Sequence, residues 1–356
     1  MMNPIWKNEE RAGYDLRSLY RSYGYIPYKM SRFEEYDLYV RNKDFLVSDQ
    51  IITFSDRSGR LLALKPDVTL SIVKNAPEEP GVVQKVYYHE NVYRDYREIL
   101  QTGLECVGDL GDYEMAEVVL LAAKSLQLLQ GRWVLDISHM GLMAAVLENS
   151  GLSREDQKLA MEYLHRKNDH QLKALCSSTP AWEKLRVISG CRGGREVLER
   201  LETVLTTETE HQALAQLKVL WKILEASGCA DSVCLDFSVG NNMRYYSGVV
   251  FRGYLEGIPA SVLSGGQYDK LPRKMGRKAK AIGFAIYLDL LENRYREEDA
   301  FDVDTLILHD GTADPLVLTA AAEEAAEKGS VLVTRELPET RSWKHLLRFE
   351  KGVWVL

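Results

Sequence analysis

The chain has little of what would staple, anchor or repeat a fold. Its five cysteines (Cys106, Cys176, Cys191, Cys229 and Cys234) are scattered, with no CxxC pair and no histidine at metal-ligand spacing. That argues against disulfides and zinc and predicts reduced, mostly buried thiols in a cytoplasmic protein. No apolar run approaches bilayer length, and the opening MMNPIWKNEERAGYDLRSLY lacks the apolar stretch of a secretory signal. The surplus of positive charge that nucleic-acid binding draws on is missing too: the net charge is −7. Neither an internal repeat nor a low-complexity segment is visible. What is present is ordinary globular composition, 46% hydrophobic and 27% charged over 356 residues, enough for one large domain and a smaller one.

Residues 7–24 space Leu16, Leu19, Tyr20 and Tyr23 along one helical face. Gln50–Phe54 and Leu61–Leu64 predict two strands around the turn Ser55-Asp56-Arg57-Ser58-Gly59-Arg60, whose Asp, Ser and Gly suit a hairpin. Lys65-Pro66-Asp67 stops the second strand and a helix over Val68–Lys74 follows. Strands at 84–93 and 98–107, a helix from Asp112 to Leu129 and a strand at Trp133–Ile137 complete this half.

From 140 to 228 alternation nearly vanishes, and capping residues at Ser153 and at Thr179-Pro180 open apolar-periodic runs, so this stretch is expected to be a helical insertion. Strands return at 233–239, 245–254 and 260–264, with a helix expected at 281–293. From Phe301 a strand (303–308), a helix (315–328) and a strand (331–334) predict a small α/β unit. The plan is α+β, a mainly antiparallel sheet flanked by helices: a core over 1–293 carrying the insertion, then a C-terminal unit over 301–356.

One stretch asks for chemistry. YYHENVYRDYREILQTGLECVGD (87–109) sets Arg94 and Arg97 at the turn of a hairpin, and guanidinium groups there suit an anion, although from this stretch alone a solvated tip is the more ordinary reading. It also resembles motif 2 of the class II aminoacyl-tRNA synthetases with the Q-x-G-x-E sequel of histidyl-tRNA synthetase, here Gln101-Thr102-Gly103-Leu104-Glu105. Three further segments resemble that family in the same order. ITFSDRSGRLLALKPDVTLSIVKN (52–75) is similar to the region of its R-P-E-G-T loop, and MRYYSGVVF (243–251) to its L-D-Y-Y segment. SGGQYDKL (264–271) with AIGFAIYLDLL (281–291) is similar to its G-G-R-Y-D turn and motif 3.

The resemblance implies a class II fold and a pocket for histidine, and it also exposes departures. Amino-acid activation needs arginines around a phosphate that is gaining a bond. The positions where the family carries them hold Leu290, Asn241 and Gln267, Tyr287 replaces a small neighbour, and the motif 2 loop is cut to Arg94-Asp95-Tyr96-Arg97. Losing one such donor costs about two to three orders of magnitude in rate, so no catalytic residue is expected in this chain.

What the resemblance leaves is a ligand pocket: Asp67 and Thr69, Arg94, Gln101 and Glu105, Tyr245 and Tyr246. Each alone could be an ordinary core or strand residue. Together they supply a carboxylate for an ammonium, an arginine for a carboxylate, and polar and aromatic groups for an imidazole. The basic run Arg273 to Lys280 is expected to be a solvated turn. A synthetase core without its ATP-facing arginines, with a reduced tail, resembles the synthetase-like regulatory subunits of ATP phosphoribosyltransferase. That implies a homodimer joined to the short-form catalytic subunit, free histidine as effector, and no cofactor, metal, nucleic acid or membrane partner. A divergent histidyl-tRNA synthetase and a stand-alone histidine-sensing module are the alternatives.

Overall fold

The apolar stripe near the start folds as its spacing requires: α1 (Asn8–Ser22) turns Leu16 and Tyr20 fully inward. The structure is a computed structural model that describes residues 8–46, 50–77, 79, 81–239, 245–291, 301–351 and 353–355. It divides into two compact units, Met1–Arg294 and Tyr295–Leu356.

In the first unit, β1 (Ile26–Pro27) leads to β2 (Phe33–Glu35) and the short α2 (Tyr36–Arg41), neither of which the sequence pattern had singled out. β3 (Thr53–Ser55) and β4 (Leu61–Leu64) form the expected hairpin, and β2 pairs on the far side of β4. Asp56 organises the turn by accepting from the Ser58 and Arg60 backbone N–H groups at 2.8 and 2.9 Å. The helix after Pro66 is α3 (Thr69–Asn75). β5 (Val83–Arg94) and β6 (Arg97–Gly108) make a long ladder, closed by Asp95 and Tyr96 at φ 51° and 59°. Two left-handed residues give a turn that matches the right-handed twist of the strands, which allows so short a connection.

The remaining strands of this unit are β7 (Trp133–His139), β8 (Arg192–Gly193), β9 (Val233–Asp236), β10 (Val249–Leu255), β11 (Leu263–Gln267) and β12 (Lys280–Tyr287). With β1, β5 and β6 they build a nine-stranded sheet in the order β1-β5-β6-β12-β11-β10-β7-β9-β8. Its centre is antiparallel, and only the β1–β5 and β7–β9 pairs are parallel. The helix α4 (Asp112–Leu128) covers one face: Gly253 of β10 lies so close to Leu126 that a Cβ there would stand 2.7 Å from the leucine methyl. Tyr20 of α1 shares a 3.0 Å hydrogen bond with Ser125 of α4, which ties the two helices together. Residues 140–228 carry α5 (Met140–Glu148), α6 (Arg154–His165), α7 (Asp169–Cys176), α8 (Trp182–Ser189), α9 (Arg195–Glu202) and α10 (Glu208–Ala226), with β8 between α8 and α9, and the short α11 (Lys270–Lys274) lies between β11 and β12.

Three expectations are corrected here. Residues 280–287 form a central strand where a helix was expected, followed by a 3-10 turn at Leu288–Leu291; residues 292–293 lie outside the described residues. Gly283 explains it, because any side chain there would collide with Glu105 of β6, so that glycine suits close strand–strand approach. Tyr245 and Tyr246 precede β10 and do not alternate along it. The Ser247 N–H donates to Gln267 O and Gly248 O accepts from Met140 N, both at 2.8 Å, so the chain crosses two neighbours before the ladder starts at Val249. Thr179 closes the turn after α7 by donating to Cys176 O, and Ala181 stands at the cap of α8. Ser153 does cap α6, accepting from the Asp156 N–H at 3.1 Å.

The second unit has β13 (Val303–His309), α12 (Pro315–Ala326), β14 (Val331–Thr334), β15 (Trp343–Glu350) and β16 (Val353–Val355), in sheet order β14-β13-β15-β16. β15 was not foreseen, since WKHLLRFE mixes charges and leucines without clean alternation. No helix of the described residues is long and apolar enough to cross a membrane. Four of the five cysteines are buried and all are free thiols.

Candidate functional site

The face of the nine-stranded sheet away from α4 is paved with small residues in register. One row runs Glu105, Gly283, Gly266 across β6, β12 and β11, and the next runs Gly103, Ala285, Ser264. Side chains at one position in neighbouring strands share a face, and the glycines let Glu105, Tyr246 and Tyr88 lie close over Gly283, Gly266 and Gly103. On this face is a cavity of about 440 Å³, and Asp67, Thr69, Arg94, Gln101, Glu105, Tyr245 and Tyr246 all line it. Every residue singled out from the sequence for a pocket is thus brought to one place.

Glu105 is the deepest of them, 2% exposed. The Thr69 hydroxyl donates to its Oε1 at 2.6 Å and the Tyr268 hydroxyl donates to its Oε2. Burial pushes its carboxyl up to about 8; the two hydroxyl donors pull the other way and the Asp67 carboxylate adds to the rise. That rise favours the protonated acid, which can donate a hydrogen bond as well as accept one. Asp67, half-buried, has a structural duty as well: its Oδ1 accepts from the Leu70 N–H at 2.8 Å in the first turn of α3. Burial raises its carboxyl, opposed by that backbone bond and by the charge of Arg94.

Arg94 ends β5 at the cavity rim. It is 7% exposed, its Nε is buried without a hydrogen-bond partner, and its guanidinium sits 6.0 Å from the Tyr287 ring centroid. A buried guanidinium nitrogen without a partner is a costly arrangement that a ligand oxyanion would relieve. The aromatic wall is continuous: the Tyr245 ring lies 4.7 Å from Tyr246, and 5.7 Å from both Tyr268 and Phe45. Tyr246 lies against Gly266, where a Cβ would stand 2.8 Å from its ring.

The residues that replace the family's arginines behave as structural groups where the structure describes them. Gln267 donates to Asp269 at 2.6 Å, and Asp269 in turn accepts from the Ala281 N–H, which binds the turn to β12. Leu290 sits in the 3-10 turn and does not line the cavity. Asn241 lies outside the described residues. In the basic run, Arg277 is engaged, donating to the Ala76 and Lys74 carbonyls at the end of α3. Sequence reasoning missed Tyr268, although its motif had been quoted, as well as Tyr88 and Arg252, which also line the cavity. Among the described residues no cluster of three or more His, Cys, Asp or Glu could hold a metal ion.

Comparison with known proteins agrees with this geometry. A family model described as histidyl-tRNA synthetase matches residues 1–291. The ATP phosphoribosyltransferase regulatory subunit of Caldanaerobacter subterraneus subsp. tengcongensis is 31% identical over 288 residues, 77% of this chain and 75% of that protein. A Bacillus halodurans structure solved as an ATP phosphoribosyltransferase regulatory subunit/histidyl-tRNA synthetase shares the fold with a TM-score of 0.79 at 24% identity, covering 96% of this chain and 94% of the other. A chain of the ATP phosphoribosyl transferase (HisG:HisZ) complex from Thermotoga maritima shares it with a TM-score of 0.62 at 19% identity, covering 79% and 97%. By family model, relative and fold alike, this chain belongs to the histidyl-tRNA synthetase family, among its ATP phosphoribosyltransferase regulatory subunits.

Proposed function

We propose that this chain is a non-catalytic subunit that binds and activates the short-form catalytic subunit of ATP phosphoribosyltransferase, and that the sheet-face cavity takes free histidine as its feedback effector. The observation that carries the reading is the asymmetry of the cavity. The amino-acid half is assembled around Glu105, Thr69 and Arg94, while Leu290 and Gln267 offer nothing to a phosphate there. Such a site can hold an amino acid without activating it. A change of activity on binding requires different histidine affinity in the active and inhibited assemblies.

The remaining parts of the reading follow the family resemblance. The chain pairs with a second copy through the synthetase core, works in the cytoplasm, and has no RNA or membrane partner, consistent with its net charge of −7. The unit Tyr295–Leu356, a four-stranded sheet with α12, stands where the resemblance places an anticodon-binding α/β domain. The test is phosphoribosyl transfer by a short-form catalytic subunit, with and without this chain and then with histidine. The expected result is activity that depends on the chain and falls with histidine; an unchanged rate overturns the reading. Histidine-dependent ATP–pyrophosphate exchange by this chain alone would instead favour a divergent synthetase.

A further inference from the structure

Arg252 belongs to none of the segments that resemble the synthetase family; it stands one residue beyond MRYYSGVVF. It is half-buried and lines the cavity. The strand register places it at the end of a row, Gly103, Ala285, Ser264, Arg252, across β6, β12, β11 and β10. Tyr88 closes over Gly103, where a Cβ would stand 2.6 Å from its hydroxyl, while Ser264 shares a 2.8 Å hydrogen bond with Tyr287, whose ring centroid lies 6.0 Å from the Arg94 guanidinium.

Arg252 has a carboxylate in the adjacent strand position, Asp136 of β7, but does not use it: Asp136 faces Arg192 at 3.6 Å. Among the described residues no carboxylate stands within ion-pair distance of Arg252 or Arg94. Both charges are felt inside the cavity. Arg94 holds down the burial-driven rise of the Asp67 carboxyl, and Arg252 opposes the burial-driven rise of the Tyr246 phenol. Arg94, with its buried partnerless Nε, is the second, independent sign that an anion completes this place.

The charge balance says what kind of anion. The charge-bearing side chains of the lining are the guanidinium groups of Arg94 and Arg252 and the carboxyl groups of Asp67 and Glu105. An amino-acid zwitterion sets its ammonium against Asp67 and leaves one carboxylate between two guanidinium groups. We propose that Arg252 and Arg94 form a two-sided seat for the carboxylate of the amino acid, with Arg252 selecting for that carboxylate. The proposal rests on the reading of the cavity as a histidine site. Arg252 stands in for cationic binding capacity lost where the motif arginines have gone, and its guanidinium fork suits a planar carboxylate.

The test uses the full chain and calorimetry with two probes: L-histidine, and histamine, which keeps ring and amine but lacks the carboxylate. Arg252→Gln should weaken histidine by about tenfold or more and leave histamine within about twofold, as expected when one charge-assisted pair is removed. Arg252→Lys should recover part of the histidine affinity by charge alone. Equal weakening of both probes would mean a packing role and overturn the proposal, as would an unchanged histidine affinity. If the wild-type chain binds no histidine, the reading of the cavity fails first and this proposal with it.

Discussion

The raised carboxyl of Glu105 gives the cavity a proton count that calorimetry can read. Free histidine has a ring that titrates at about 6.5, and burial pushes the Glu105 carboxyl up to about 8. If the cavity takes histidine as proposed, with its ring on Glu105, a single proton is shared in the complex between ring nitrogen and carboxyl. Between those two values the separate partners already hold one proton, the neutral acid with the neutral ring, so binding neither takes up nor releases any and affinity is flat. Below the ring value the partners hold two protons and one must leave; affinity falls as pH falls. Above pH 8 the carboxyl is ionised and the ring neutral, so a proton must be recruited. Affinity then falls about tenfold per pH unit, about 1.4 kcal/mol at 25 °C. Glu105→Gln keeps an uncharged group of similar shape and has no such titration, so its affinity should lack that limb. The ligand's amino group titrates equally in both proteins, which makes the difference between wild type and variant the measurement. Titrations at pH 7, 8 and 9 in two buffers of different ionisation enthalpy would give affinity and proton uptake together. A wild type as flat as the variant up to pH 9, or the same decline in both, would refute the reasoning.

Three other perturbations follow from the same geometry. Gly283→Ala puts a Cβ 1.7 Å from Glu105 Oε2 and 2.5 Å from the Leu104 carbonyl; it should cost about 1–3 kcal/mol in chemical denaturation and abolish histidine binding, since Glu105 must move. Lys65, 1% exposed, donates to Glu90 Oε2 at 2.5 Å, and Lys65→Met should cost about 2–3 kcal/mol, the lower side of what a severed buried pair loses, because Glu90 keeps a solvent-facing edge. An unchanged melting temperature would show that the pair stabilises nothing. Leu290→Arg restores one arginine of the synthetase pattern but neither Asn241 nor Gln267, so ATP–pyrophosphate exchange should stay at background, and measurable exchange would contradict the account of the lost activity.

Where alternation or capping was strong, the fold was legible in the sequence. The β5–β6 hairpin and α4 lie within a residue or two of their expected bounds, because aromatic alternation and a long apolar-periodic run each fit one period only. AIGFAIYLDLL was misread because a central strand covered on both faces has no polar alternation, and its apolar run fits a buried helix equally well. The pocket residues were legible through family motifs, since burial of Glu105 or convergence with Thr69 depends on contacts 36 residues apart in sequence. Arg252 was not legible at all. Its importance comes from a register across four strands, and no local pattern encodes which residue of a neighbouring strand will lie beside it.

The turn at Asp95 and Tyr96 has a consequence for timing. Two residues close the hairpin directly on Arg94, which is itself a cavity group. On that side the rim is a strand end, with no long loop to fold over a bound molecule. Synthetase-like chemistry benefits from closure because a reactive intermediate must be kept from water, and such closing motions take microseconds to milliseconds. A site that only reports concentration gains from the opposite property. On the hairpin side no long loop has to open, so for the proposed histidine ligand release past that edge is set by the strength of the contacts there.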